Sequence, residues 1–169
     1  HPAKNLRLGL ALLAACALLP ASAGAVQMII STVDGATHGG VTFEDGDLVA
    51  YDTVTGIASL YFDEDLFSAD EDIDSVFVRS DNKILLSTTS GATLGGLTFE
   101  DGDVVLYNPG TNTSTLFFDE DLFSNDEDVD AFALLANGHY VLSTEDGATL
   151  AGLVFRDGDL VEYDPLAAM

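Results

Sequence analysis

The chain has 169 residues, 47% of them hydrophobic, and sets 29 acidic residues against five basic ones for a formal charge of −24 at pH 7. A field of that sign repels nucleic acid and anionic membrane surfaces and favours cations or basic ligands. The acidic clusters alternate with Val/Leu/Phe-rich runs, which excludes a disordered polyelectrolyte.

Residues 4–25, KNLRLGLALLAACALLPASAGA, begin basic, run apolar to Leu19 and end in a proline and small residues. This is the pattern of a secretory signal peptide over residues 1–25, with cleavage after Ala23 or Ala25, and it predicts a secreted or periplasmic protein. The apolar run is shorter than the roughly 20 residues a helix needs to cross a bilayer, so no transmembrane segment is expected. Leu13-Ala14-Ala15-Cys16 resembles a bacterial lipobox and makes a lipid anchor at Cys16 the alternative, although the chain continues apolar as Ala17-Leu18-Leu19-Pro20 where a lipoprotein turns polar. Cys16 is the only cysteine, so no internal disulfide is available. The first residue is His1 rather than methionine, as expected of a fragment or a processed form.

Beyond the leader the chain repeats itself. IISTVDGATHGGVTFEDGDLVAYD from Ile29 aligns without a gap on LLSTTSGATLGGLTFEDGDVVLYN from Leu85 and on VLSTEDGATLAGLVFRDGDLVEYD from Val141, so Ser31, Ser87 and Ser143 fall 56 residues apart. Residues 26–169 thus divide into a partial unit (26–73), a full unit (74–129) and a second partial unit (130–169). Within a unit the apolar runs are short, β-branched or aromatic, and bounded by turn residues, which predicts strands. SVFVRS and KILLST flank Asp81-Asn82, and in the next copy AFALLA and HYVLST flank Asn137-Gly138, a pair suited to a type I′ hairpin turn. A long loop, TSGATLGGLTFEDGD, leads to VVLYN, Pro109-Gly110 turns the chain into STLFFDE, and an acidic loop, DLFSNDEDVD, completes the unit.

Four antiparallel strands per unit, with no helical pattern of useful length, predict an all-β array of β-propeller blades; a β-solenoid or a string of meanders is the alternative. The order Val129-Asp130-Ala131-Phe132, Asn137-Gly138, Leu142-Ser143-Thr144 and Gly158-Asp159-Leu160-Val161-Glu162-Tyr163-Asp164-Pro165 resembles blades of secreted bacterial propellers of the NHL and gluconolactonase type. The resemblance spans Val26 to Pro165 as a strand and turn pattern and carries no catalytic motif. Propellers close with about four to eight blades, so one full unit between two partial ones implies an incomplete propeller, completed either by a longer chain or by self-assembly of copies.

Strand parity in a four-stranded blade puts both acidic connections of each unit on one face. FDEDLFSADEDID, residues 62–74, holds seven carboxylates, and FDEDLFSNDEDVD repeats the stretch at residues 118–130. Carboxylates about 4 Å apart repel by about 1 kcal/mol even in water, and a hard divalent ion relieves that repulsion; calcium, with six to eight oxygen ligands, fits such loops. The candidate ligands are Asp70, Asp72 and Asp74, their copies Asp126, Asp128 and Asp130, and the Asp-Gly-Asp pairs Asp45/Asp47, Asp101/Asp103 and Asp157/Asp159. Asp70-x-Asp72-x-Asp74 begins like an EF-hand loop but has Ser75 in place of the glycine and Asp81 in place of the bidentate glutamate, with Ala131 and Asn137 in the copy, so it is not one. Each Asp-Gly-Asp also reads as an ordinary turn, and the whole set as a solvated acidic surface.

Catalytic signals are sparse. His38 has Leu94 and Leu150 at equivalent positions, His139 replaces Lys83, and no HExxH spacing occurs. Gly39-Gly40 lacks the lysine of a phosphate-cradling loop. Phe62, Phe67, Phe118 and Phe123 bracket the acidic loops and either anchor them or stack on a carbohydrate. The expected function is a secreted, calcium-stabilised binding or surface-structural module that takes a cationic or carbohydrate ligand outside the cytoplasm. The alternative is a lactonase-type propeller hydrolase using a divalent metal in a central channel.

Overall fold

The β-branched and aromatic runs form strands close to where the sequence places them, as seen in a computed structural model that describes residues 27–167 apart from Val33 and Asp126. The leader with Cys16, and the candidate ligand Asp126, lie outside the described residues. The first unit carries β1 (Gln27–Ile30), β2 (Ala36–His38), β3 (Val41–Phe43), β4 (Leu48–Asp52) and β5 (Ala58–Phe62). The second carries β6 (Ile73–Val78), β7 (Ile84–Thr88), β8 (Ala92–Leu94), β9 (Leu97–Phe99), β10 (Val104–Asn108) and β11 (Thr113–Phe118). The third carries β12 (Val129–Leu134), β13 (Tyr140–Thr144), β14 (Thr149–Leu150), β15 (Leu153–Val154) and β16 (Val161–Tyr163). Among the described residues no helix is long and apolar enough to cross a membrane.

The β-propeller expectation is overturned. Among the described residues the strands make three antiparallel sheets, β1-β4-β5, β6-β7-β10-β11 and β12-β13-β16, plus three separate two-stranded ribbons, and no pairing closes them into a ring. A ring requires the last sheet to pack on the first, but the buried apolar side chains join only neighbours. Leu48, Phe62 and Phe67 pack with Ile84, Leu86 and Tyr107 between the first two units, and Val104, Phe118 and Phe123 pack with Leu142, Leu150 and Tyr163 between the last two. A third cluster, Phe43, Val49 and Ala58, stays inside the first unit. The result is an all-β row of sheets whose 56-residue period fixes each step but not closure.

Aromatic edges mark both steps. Phe62 meets Tyr107 edge-on at 5.6 Å, and its copy Phe118 meets Tyr163 at 6.1 Å, each contact adding about 0.5–1.5 kcal/mol beyond burial. At the inner strands Ser87 Oγ donates to the Val129 carbonyl at 2.7 Å, tying β7 to β12.

Two turns depart from expectation. The long loop of each unit folds back as a small hairpin, β2–β3, β8–β9 or β14–β15, around Gly39-Gly40, Gly95-Gly96 or Ala151-Gly152. Both residues of each pair have positive φ, the requirement of a type I′ turn. Conversely, at Asn137-Gly138 only Gly138 has positive φ (88°). Gly138 N donates to Leu135 O and Leu135 N to His139 O, a three-residue loop rather than the expected two-residue type I′ turn.

Candidate metal centre

Many of the carboxylates work locally, as hydrogen-bond acceptors for backbone. After β5 and β11 the chain makes a short 3₁₀ turn, Glu64–Leu66 and Glu120–Leu122, whose free N–H groups need acceptors. Asp63 Oδ1 and Asp119 Oδ1 cap Asp65 N and Asp121 N at 3.1 and 3.0 Å. Asp47, 6% exposed, accepts from Glu44 N with one oxygen (2.9 Å) and from Glu64 N with the other (3.0 Å). Glu64 Oε2 in return accepts from Gly46 N at 2.8 Å. The copy is close to superposable: Asp103 takes Glu100 N at 3.0 Å and Glu120 N at 3.1 Å, and Glu120 Oε2 takes Gly102 N at 2.9 Å. The acidic loop passes so close that a Cβ on Gly46 or Gly102 would lie 2.2 Å from the carbonyl oxygen of Glu71 or Glu127. These bonds place both acidic connections of a unit at the same end of the sheet. They also assign Asp47 and Asp103 to the turn.

Further along, each loop crosses to the next unit. Phe67 bridges to Leu94 and Phe123 to Leu150, while Ser68 N and Ser124 N donate to Thr93 O and Thr149 O at 3.0 Å. Phe62, Phe67, Phe118 and Phe123 are all buried, with at most 6% exposed. They anchor the loops and leave no open ring face for a sugar.

The remaining carboxylates gather at two places. Between the second and third units Asp101, Glu127, Asp128, Glu145 and Asp146, with Thr89, line a cleft of about 260 Å³. Asp128 Oδ1 is buried with no hydrogen-bond partner, as is Oδ2 of Asp74 at the head of the same crossing. Burial, reinforced by Asp128, Glu145, Asp130 and Asp72, pushes the Asp74 carboxyl up to about 7. Burial, then Asp101, Glu145 and Asp130, raises Asp128 to about 6. Asp130 differs from its copy Asp74 in accepting from Ser143 Oγ.

The second place lies in the first unit, where one oxygen from each of Asp45, Glu64 and Asp70 falls within 4.8 Å of the others. Burial, with Asp70 and Asp45 among the charges around it, pushes Glu64 up to about 7 despite the bond from Gly46. Asp72 is raised by burial and then by Asp45, Asp70, Glu71 and Asp34. Its surroundings are milder, since Ser90 Oγ donates to Glu71 there, whereas the third unit has Asp146 at the matching position. Asp157 and Asp159 are exposed, and Asp159 accepts only a turn bond from Arg156 N at 3.0 Å.

The structure therefore brings Asp101, Asp128 and Asp74 to one locus and Asp45 and Asp70 to another, commits Asp47 and Asp103 to backbone bonds of the adjoining turns, and leaves Asp157 and Asp159 exposed. Missing from the sequence-derived set are Glu64, Glu127, Glu145 and Asp146. The signal for Glu145 is a departure from the repeat, which has Val33 and Thr89 at that position, while Asp146 repeats Asp34 and departs only from Ser90.

Basic groups stand mostly at the opposite end. Asp81 pairs with Arg79 at 3.2 Å and Lys83 at 3.3 Å, and His139 lies 2.8 Å from Glu162 and 3.6 Å from Asp164. His38 stacks on Tyr51 at 4.5 Å, while Ser87 and Ser143 are engaged with Val129 and Asp130. No serine, histidine and carboxylate converge among these contacts. What the acidic end offers is hard oxygen ligands, the donor set of calcium.

No protein-family model matches the chain, and no curated protein is similar to it. Among solved structures it is similar to one described as the extracellular domain of a hybrid two-component system from B. thetaiotaomicron, at 14% identity and a TM-score of 0.38, over 83% of this chain and 21% of that one. It is also similar to the extracellular domain of a one-component system from the same organism, at 15% identity and a TM-score of 0.36, over 78% of this chain and 22% of that one. The chain spans about a fifth of the length of these structures.

Proposed function

We propose that this is a secreted or periplasmic, non-catalytic repeat module, calcium-stabilised at its acidic end, which uses that end to bind a cationic partner. The observation that carries the reading is the pair of buried, unpartnered carboxylate oxygens, Asp74 Oδ2 and Asp128 Oδ1, beside a cleft whose lining adds Asp101, Glu127, Glu145 and Asp146. An unpaired buried polar atom costs about 1–3 kcal/mol, more when charged, and like charges nearby add to that. A divalent cation ligated there offsets both and joins the second unit to the third. Asp128 would hold it together with carboxylates that line the cleft, with Asp74 completing the charge balance. Export rests on the leader at residues 1–25, and the cationic partner on the net charge of −24.

Calorimetric titration of the metal-free protein with calcium tests the reading. Saturable binding is expected with a Kd of about 10⁻⁴ to 10⁻³ M, the range of extracellular calcium modules, weakened at least tenfold in Asp128→Asn and unchanged in Asp159→Asn. Heats no larger than those from magnesium or sodium chloride of equal ionic strength would refute it.

A further inference from the structure

We infer that the small hairpins of the first two units, β2–β3 and β8–β9, guard the outer edges of their sheets and keep the outer strand of another copy of the chain from pairing there. β5 and β11 are outermost strands among the described residues. Both have the composition that pairs most readily: Ala58–Phe62 and Thr113–Phe118, ASLYF and TSTLFF, hold no charge and no proline, the pattern of a segment that stacks on its own kind. Exposed edges are usually blunted by lysine, by proline or by a covering element. These two strands have neither of the first two devices.

The hairpins supply the third. β3 packs beside β5 and β9 beside β11, and each hairpin tip takes a donor from the strand itself. Ala58 N donates to Gly39 O at 3.1 Å, and Ser114 N donates to Gly95 O at 3.2 Å. The backbone groups of an antiparallel strand face alternate sides, so Ser114 N, bonded away from β10, is one of the N–H groups that an added strand would need. Leu116, two residues further on, turns its backbone the same way, and its side chain is 44% exposed.

Reaching the edge demands glycine. A Cβ on Gly39 would lie 2.6 Å from Ala58 N, and one on Gly95 would lie 2.7 Å from Ser114 N and 2.8 Å from the Thr113 carbonyl carbon. Each obstacle is backbone and cannot swing aside. A Cβ on the second glycine of either turn, Gly40 or Gly96, meets nothing within 4 Å, although φ there is 86° or 83°. Left-handed backbone accounts for the second glycine; the first is tied to the edge as well. The contact at β11 carries a cost that its copy lacks, since Ser114 Oγ is buried there without a hydrogen-bond partner where the first unit has the methyl group of Ala58.

Gly95→Ala and Gly96→Ala in the full chain test this by amide exchange and by sedimentation velocity in about 1 M sodium chloride, which cuts the reach of surface charge to about 3 Å. Both substitutions strain the turn, but only the first drives the tip off β11. The expected result is exchange of the Ser114 amide at least tenfold faster in Gly95→Ala than in Gly96→Ala, with Leu85 and Leu86 still protected, and association of Gly95→Ala alone into dimers or larger species. Adding Leu116→Lys to Gly95→Ala should restore the monomer, because lysine blunts the opened edge. Gly39→Ala repeats the test at β5 if Gly95→Ala does not fold. Equal sedimentation of Gly95→Ala, Gly96→Ala and the unsubstituted chain would overturn the inference, as would association that persists with Leu116→Lys. Loss of folding in both Gly95→Ala and Gly39→Ala, with Gly96→Ala intact, would overturn it too, since the hairpins would then hold the fold together and not guard an edge.

Discussion

Asp103→Ala is expected to destabilise the protein by about 2–4 kcal/mol, from one buried and one partly buried N–H group left without an acceptor, and by the same amount in calcium and in EDTA. Asp103 is 7% exposed and its two oxygens hold Glu100 N and Glu120 N. Alanine leaves the buried Glu120 N–H without an acceptor and the partly buried Glu100 N–H without its partner, and loosens the turn that carries Glu120. Asparagine retains one acceptor but presents an amide where the other N–H points, so Asp103→Asn should fall between wild type and alanine. Asp159→Ala is the internal control: the same position in the third unit is exposed and holds only Arg156 N, so its effect should stay within about 0.5 kcal/mol. Urea unfolding of the three variants measures all of this. A loss at Asp103 that appears only in calcium would make that residue a ligand instead of a turn acceptor.

The second large effect is on pH dependence. Without metal, the unfolding midpoint should fall as pH rises through about 6 to 7. The carboxyls of Asp74 and Asp128 titrate near 3.8 when unfolded but are pushed to about 7 and about 6 in the fold. Over the interval between, the folded chain keeps protons that the unfolded chain has released, so this stabilisation is complete below the unfolded value and is lost as pH climbs past the folded ones. General relief of acidic repulsion acts mainly below about pH 5, where ordinary carboxylates titrate, so the part of the fall between about pH 5 and 7 is the part that reports the raised carboxyls. Asp74→Asn and Asp128→Asn imitate the protonated state. Each should raise the metal-free midpoint at mildly alkaline pH and flatten its pH dependence, while reducing the gain from calcium. Variants less stable than wild type in EDTA would show that the two carboxylates have partners in solution.

The strands were legible because their causes are local. Ile73–Val78 and Ile84–Thr88 are β-branched and aliphatic runs between turn residues, and β pairing needs little more. Closure was not legible, because a 56-residue period serves a row of sheets as well as a ring, and only the packing of Phe62 on Tyr107 and Phe118 on Tyr163 shows that contacts run between neighbours. The Gly39-Gly40 and Gly95-Gly96 hairpins carry the residues of a type I′ turn, but their three-residue strands are short enough to pass for loop. At the acidic end, Asp-Gly-Asp spells a turn and a ligand pair alike. What decides is an N–H 17 residues away, that of Glu64 for Asp47, which no local reading supplies. Glu145 is illegible for the opposite reason: it departs from Val33 and Thr89 at the matching positions, so the repeat does not point to it.

Thermal unfolding of the full chain in EDTA, in about 10 mM calcium, ten to a hundred times the expected Kd, and in sodium chloride matched for ionic strength tests the central claim most directly. Ligand at ten to a hundred times Kd stabilises by about 1.4–2.7 kcal/mol, which for a chain of this size raises the midpoint by about 3–10 °C. Calcium should give that rise and matched sodium chloride should not. An equal rise in both would mean that the carboxylates around Asp74 and Asp128 are merely screened, and would contradict a metal-held acidic end.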